Sequence, residues 1–296
     1  MAGLDPTLIG VTVAFMTLLG LVLAGILAFA NRKLWVFEDP RIDEVEELLP
    51  ATNCGACGTA GCRPFAELLV KGEIEPAKCT VSSAEAIEEI ADLLGVEAGE
   101  VEKRVARLAC AGGAHVARMQ AHYEGLESCR AAALIGGGPK ACAWGCLGLA
   151  DCERACDFDA ITMDRHGLPM VDADLCTACG DCVEACPKEL FSLQPVSHRL
   201  WVACRNLLHG DEAEGLCAVA CTGCEKCARD AAPGLIEIRD NLARIDYALN
   251  ALASPDAIQR CPAGAIVWLD DAGVHKGRAA KRIVREEALP VERIAV

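Results

Sequence analysis

The chain has 296 residues, 20 of them cysteine, with a formal charge of −15 and 4 % aromatic residues. That length holds two or three small domains rather than one large core, and the acidic balance excludes a surface built to grip nucleic-acid phosphates. No stretch reads as a cleavable leader, so the cysteines are expected to ligate metal rather than to form a secreted disulfide framework.

The first element is apolar. LIGVTVAFMTLLGLVLAGILAFA, residues 8 to 30, carries no charge, and at about 1.5 Å per residue it covers a hydrocarbon layer of about 30 Å with some tilt. Asp5 precedes it and Asn31-Arg32-Lys33 follow, the reverse of a signal peptide. Positive charge marks the cytoplasmic side, so the expectation is a single-pass anchor in the cytoplasmic membrane, with everything after Arg32 in the cytoplasm. Trp35 and Phe37 would lie near the interface.

EDPRIDEVEELLP, residues 38 to 50, reads as a charged linker with a short helix, and residues 51 to 108 as a small helical domain. Within that domain SSAE (82 to 85) is a candidate capping box, followed at helical spacing by Ile87, Ile90, Ala91 and Leu94. Residues 109 to 140 are rich in Ala and Gly and end in LIGGGPK, a turn without the setting of a nucleotide loop. Further on, AITMDRHGLPMVD (160 to 172) and LIEIRDNLARID (235 to 246) each read as strand, tight turn and strand, flanked by cysteines. The expected units are an anchor (1 to 33), a linker (34 to 50), a small cluster domain (51 to 108), a ferredoxin-like unit (109 to 200), a second, degenerate one (201 to 272) and a tail (273 to 296). The fold class is therefore α+β: one transmembrane helix, a small helical 4Fe–4S domain and two tandem ferredoxin-like units.

NCGACGTAGC with a distant partner gives set I: Cys54, Cys57, Cys62 and Cys79. Three thiolates close in sequence can wrap one corner of an iron–sulfur cubane and a later fourth closes it. Structural zinc is the rival for four thiolates, but it usually pairs two CxxC hairpins and this set has one. Cys176-x2-Cys179-x2-Cys182-x3-Cys186-Pro187 fits the two-cluster pattern, in which the last cysteine ligates the other cluster. Crossing over gives set III as Cys156, Cys176, Cys179 and Cys182. It gives set II as Cys146, Cys152 and Cys186 with one more. The usual spacing puts the missing ligand at Leu149, and Cys142, one helical turn before Cys146, is the expected substitute.

Overlaying the two hairpins matches Cys146 with Cys221, Leu149 with Cys224, Cys152 with Cys227 and Cys186 with Cys261. Ala231 falls on Cys156, and NALASPDAIQR replaces LCTACGDCVEA. One complete ligand set is missing from the second unit and the other survives as set IV: Cys221, Cys224, Cys227 and Cys261. Cys217 is a possible substitute ligand there. Cys110, Cys129 and Cys204 remain unassigned; buried core thiols are the expectation for them and a further cluster the alternative. His115, His122, His166, His198, His209 and His275 show no ligand spacing. The basic stretch HKGRAAKRIVRE (275 to 286) reads as a solvated segment or at most a docking surface.

A membrane helix, then CGACGTAGC with Cys79, then KACAWGCLGLADCERACDFDAI and DLCTACGDCVEACP, resembles the B subunits of the Rnf electron-transport complexes over nearly the whole chain. The unit after residue 200 matches only longer members. The resemblance implies a membrane complex that carries electrons from reduced ferredoxin to NAD, coupled to ion translocation, with this subunit as entry and relay through about four 4Fe–4S clusters. Its partners would be the other membrane subunits and soluble ferredoxin. No nucleophile, base or flavin pocket is apparent, so no substrate chemistry is expected within the chain. The alternatives are an iron–sulfur relay in another membrane oxidoreductase, such as one reducing an iron–sulfur regulator, and a zinc-binding scaffold.

Overall fold

The computed structural model describes residues 6–34, 38–100 and 102–291. The apolar segment is helix α1, Pro6–Leu34, of 29 residues. Its Gly10–Leu34 stretch is not buried among the described residues and is long and apolar enough to cross a membrane. Trp35 and Phe37 lie outside the described residues.

Three helices form the next unit: α2 (Arg41–Leu48), α3 (Cys62–Lys71) and α4 (Ala84–Leu94). Val45, Phe65, Leu69 and Ile90 make their common core, and burying side chains of this size contributes about 1.5–3 kcal/mol each. The segment expected as a linker is thus part of a packed domain, because Val45 and Leu49 of its short helix point into the core. Arg63 fastens it further by bonding to Glu38, Asp43 and Glu46, a largely exposed arrangement of modest strength. Helix α4 starts one residue later than the capping box would have it. Ser83 is the cap and accepts from the Ala86 amide at 3.2 Å; its third helical position is therefore Ala86, and Glu85 cannot close the reciprocal bond.

Residues at the end of the segment expected to be helical form strand β1, Arg104–Leu108. Helix α5 (Cys129–Leu134), helix α6 (Asp151–Arg154), the hairpin β2 (Ile161–Met163) and β3 (Pro169–Val171), and helix α7 (Asp181–Ala185) follow. Strand β4 (Phe191–Pro195) then returns antiparallel to β1, Leu108 opposite Phe191 and Arg104 opposite Pro195. Val105 and Ala106 are buried, so this pair walls the first half.

The second half repeats the order. Strand β5 (Leu200–Val202), helices α8 (Gly210–Leu216) and α9 (Lys226–Asp230), and the hairpin β6 (Ile236–Arg239) and β7 (Leu242–Ile245) lead to β8 (Ile266–Asp270), which pairs antiparallel with β5. The β6–β7 turn is made by Asp240 and Asn241, both at positive φ, the requirement of a two-residue turn that matches strand twist. Where the first half has α7, the second has two short 3-10 turns, Tyr247–Leu252 and Pro255–Ile258.

The tail is held rather than free. Strand β9 (Gly273–Lys276) adds to the edge of β8. Beyond it the Ala279 amide donates to Gln259 O at 3.0 Å, Lys281 N to Pro262 O at 2.9 Å and Leu289 N to Ala114 O at 2.9 Å. Gly277 has no room for a side chain, since an added Cβ would meet the Ile258 carbonyl oxygen. The basic side chains remain exposed while the backbone beneath them is bonded. The two halves also share one core, in which Val116 and Ala117 of the first pack with Leu200, Leu235, Ile258 and Ile266 of the second.

Candidate metal centres

The thiols of set I are brought together by loop chemistry. The Asn53 carboxamide oxygen accepts from the Cys62 amide at 2.8 Å, folding nine residues back on themselves. A side chain at Gly61 would collide with that oxygen at 2.7 Å. Cys57, Cys62 and Cys79 meet on the domain core, and Cys54 stands in the same loop. Cys79 Sγ accepts from Ser82 Oγ at 3.1 Å, and Cys57 Sγ lies 3.0 Å from Thr59 Oγ1.

Cys156, Cys176, Cys179 and Cys182 line a single opening. Helices α6 and α7 deliver the outer two, and Cys176 Sγ accepts from the Ala106 amide of β1 at 3.4 Å. Across the second half, Cys221, Cys224, Cys227 and Cys261 line another, with Cys261 delivered from beyond the hairpin by the 3-10 turn before it. Among all 20 cysteines Cys224 alone is exposed.

Set II differs from the expectation. Cys146, Cys152 and Cys186 share their opening with Cys129, not with Cys142. The assumed helical turn between Cys142 and Cys146 does not exist, because residues 140–150 are turns and bends. Cys129 is placed by Asp151 at the head of α6. One carboxylate oxygen accepts from Ser128 Oγ at 2.9 Å and from the Arg130 amide at 3.0 Å, which pins Cys129 against the helix carrying Cys152. Burial alone would raise the Asp151 carboxyl, yet its hydrogen bonds from Arg130, Ser128, Cys129 and Arg154 together hold it below the usual range. Leu149 packs beside Cys129, so the substitute reaches the vertex that Leu149 vacates.

Cys142 lies instead with Cys110, Cys204 and Cys217 around one further opening. Cys217 is therefore not an alternate member of set IV. Linear spacing does not group these four, yet a signal is present: RLACAGGA (107 to 114) and WVACRNLL (201 to 208) extend the internal repeat upstream and match Cys110 with Cys204. Cys129 has no such signal, since it sits in an insertion of the first half. Of the histidines, His115 is tilted against the ring of His166 and His198 is stacked on Tyr247.

Burial pushes the thiols of Cys146, Cys182, Cys204 and Cys227 up to about 12, and at Cys182 and Cys227 neighbouring thiols add to it. Four such groups side by side become thiolates only around a cationic core. Zinc at about 2.3 Å from each sulfur would draw its ligands onto one point. Among the described residues no three His, Cys, Asp or Glu converge in that way, and the thiols of sets II, III and IV each line a small opening of their own. The donor chemistry and the spacing fit an iron–sulfur core.

Sets I, III and II also touch in series. Thr80 Oγ1, next to Cys79, donates to Thr177 O, next to Cys176, at 2.6 Å. Cys152 and Cys186 of set II pack in one core with Cys156, Cys176 and Cys182 of set III.

Two family models match the chain: a putative Fe–S cluster over residues 49–81, which holds set I, and a 4Fe–4S binding domain over residues 169–191. An iron–sulfur protein with an N-terminal apolar helix is the class these features define. The B subunit of the Na(+)-translocating ferredoxin:NAD(+) oxidoreductase complex of Acetobacterium woodii is 37% identical over 86% of this chain and 77% of its own length. The corresponding subunit of the proton-translocating complex of Clostridium ljungdahlii is 39% identical over 85% of this chain and 89% of its own. The B subunit of the ion-translocating oxidoreductase complex of Methanosarcina acetivorans is 35% identical over 86% and 96%. The chain belongs to this family, the B subunits of ion-translocating (Rnf) oxidoreductase complexes.

Proposed function

We propose that the chain is the electron-relay subunit of an ion-translocating ferredoxin:NAD oxidoreductase, taking electrons from a reduced ferredoxin and handing them to other subunits at the membrane. The observation that carries this reading is the interleaving of cysteines across each hairpin, Cys156 with Cys176, Cys179 and Cys182, and Cys261 with Cys221, Cys224 and Cys227. The chain is then built from two tandem ferredoxin-like units, the second with one ligand set lost. Its ligands are Cys54, Cys57, Cys62 and Cys79; Cys129, Cys146, Cys152 and Cys186; Cys156, Cys176, Cys179 and Cys182; and Cys221, Cys224, Cys227 and Cys261. Bound at these sets, 4Fe–4S groups supply one-electron redox sites.

The protein's own residues hold the thiolates in place, bury them, and point amide donors at sulfur, which tunes potential. Set IV is the natural point of entry, because Cys224 is exposed and Lys226 and Arg229 stand exposed on the helix beside it. Set I lies in the domain that follows α1. Arg32 and Lys33 at the end of α1 support a cytoplasmic position for these domains, by the rule that positive charge marks that side.

The test is stopped-flow mixing of the anaerobically purified full-length protein with reduced ferredoxin. Bleaching of the cluster absorbance is expected, and Lys226→Glu with Arg229→Glu should slow it at least about tenfold at low salt, the scale on which steering charges act. Protein that stays oxidised in the presence of reduced ferredoxin overturns the reading.

A further inference from the structure

We propose that Cys110, Cys142, Cys204 and Cys217 hold a fifth 4Fe–4S group, set V, at the junction of the two halves. It rests on reading the other four sets as iron–sulfur sites.

Each half contributes an equivalent pair. The overlay that matches Cys146 with Cys221 also matches Cys142 with Cys217, and the strand-end motif matches Cys110 with Cys204. Their surroundings repeat bond for bond. Cys110 Sγ accepts from the amides of Gly112 and Cys146, each at 3.4 Å. Cys204 Sγ accepts from the amides of Asn206 at 3.4 Å and Cys221 at 3.3 Å. Upstream of each, Ala109 N donates to Leu190 O at 2.8 Å and Ala203 N donates to Ala265 O at 2.8 Å. Core thiols with no ligand would have no reason to recur with the same amide donors in both halves.

All four thiols line the small opening between them, and a residue without a side chain stands at its wall. A Cβ on Gly112 would stand 3.2 Å from Cys217 Sγ and 3.6 Å from Cys110 Sγ. Two polar groups at its edge are in need of a negatively charged occupant. Asn206 is 1 % exposed, and its Nδ2 has no hydrogen-bond partner, a costly state for a buried donor. Lys140 is 5 % exposed; its Nζ donates to the Gly112 carbonyl at 2.5 Å, and no salt bridge reaches it among the described residues. A buried ammonium requires compensating negative charge, and a thiolate-ligated cluster provides it.

The site also completes the series. Cys146 belongs to set II and Cys221 to set IV, and their amides hold the two outer sulfurs of set V. Sets II and IV are thus linked through it.

The experiment is iron and sulfide analysis of the full-length, anaerobically purified protein, alone and as Cys204→Ser, with EPR at graded potentials. The expected result is about twenty irons per chain, about four for each set of four thiolates, and a loss of about four in the variant. About sixteen in the unaltered protein overturns set V and leaves the other four sets standing. A count near eight overturns the underlying reading instead. Should Cys204→Ser fail to fold, Lys140→Met gives the second readout: one EPR centre is expected to move to more negative potential while the rest stay in place. Twenty irons with every potential unmoved in Lys140→Met and unchanged iron in Cys204→Ser would also overturn the assignment.

Discussion

The two halves share a chain order, a hairpin and a strand pair, yet only the first carries cysteines for two sets of four around its hairpin. Where the first half has Cys156, Cys176, Cys179 and Cys182, the second has Ala231, Ala251, Ser254 and Ala257. The vacancy is filled by carbon. Ala257 is 1 % exposed and Ile258 2 % exposed, and the 3-10 turn that carries them is capped by Ser254. On the proposal that this half has lost one ligand set, apolar side chains take up the volume, and close packing leaves little latitude in how. On the reading proposed above, Cys261 survives because it belongs to the set on the far side of the hairpin, all four of whose cysteines are present.

This contrast can be broken at several points. The largest effect is expected from Cys182→Ala, which removes one of four ligands in the first half and should lose the whole group, about four irons per chain by metal analysis. In the second half the equivalent substitution Ala257→Cys should gain none, because its three companions are absent. Next in size is Ile258→Ala. It opens a cavity in the closely packed core of the second half and should cost about 2–5 kcal/mol, measured by denaturant titration. Val183, its counterpart, is only half-buried, and Val183→Ala should cost less.

Asp151→Ala comes third. It frees Ser128 and the Arg130 amide, and the Cys129 group should lose iron on dilution with chelator while set III retains it. Its counterpart Lys226 makes no such bond, and Lys226→Ala should change stability by no more than about 0.5 kcal/mol. The smallest effect is a shift with pH. The thiols of Cys146, Cys182 and Cys227, pushed up to about 12 by burial, hold protons more tightly in the folded chain than the ~8.5 of a free thiol. Their contribution to the metal-free fold is present below about pH 8.5 and is lost as pH rises toward about 12. In the loaded protein the same proton affinity competes with metal, so absorbance should bleach on acidification; resistance of sets II to IV down to pH 4 would contradict it.

Much of this is legible in the residues. The hairpins at 160–172 and 235–246 follow from alternation and turn chemistry, and the crossover of Cys156 and Cys261 follows from which ligands are missing together. The unread parts share a cause. Linear proximity on an assumed helix assigns Cys142 to set II, whereas a loop of turns sends it to the other half and an inserted segment brings in Cys129. Strand β1 escapes because RVARL has weak alternation and gains its identity from β4, some ninety residues later. Helix α2 reads as linker because most of its residues are charged, and only Ile42 and Val45 are fully buried.

The exposure of Cys224 has a consequence for survival in air. Oxygen attack on thiolates follows accessibility, and every other cysteine is buried or half-buried. Damage should therefore begin at the outermost vertex, which stands far from the lipid in the series of contacts. An oxidised molecule would be a blunted conductor, shortened from its tip, rather than one cut through the middle.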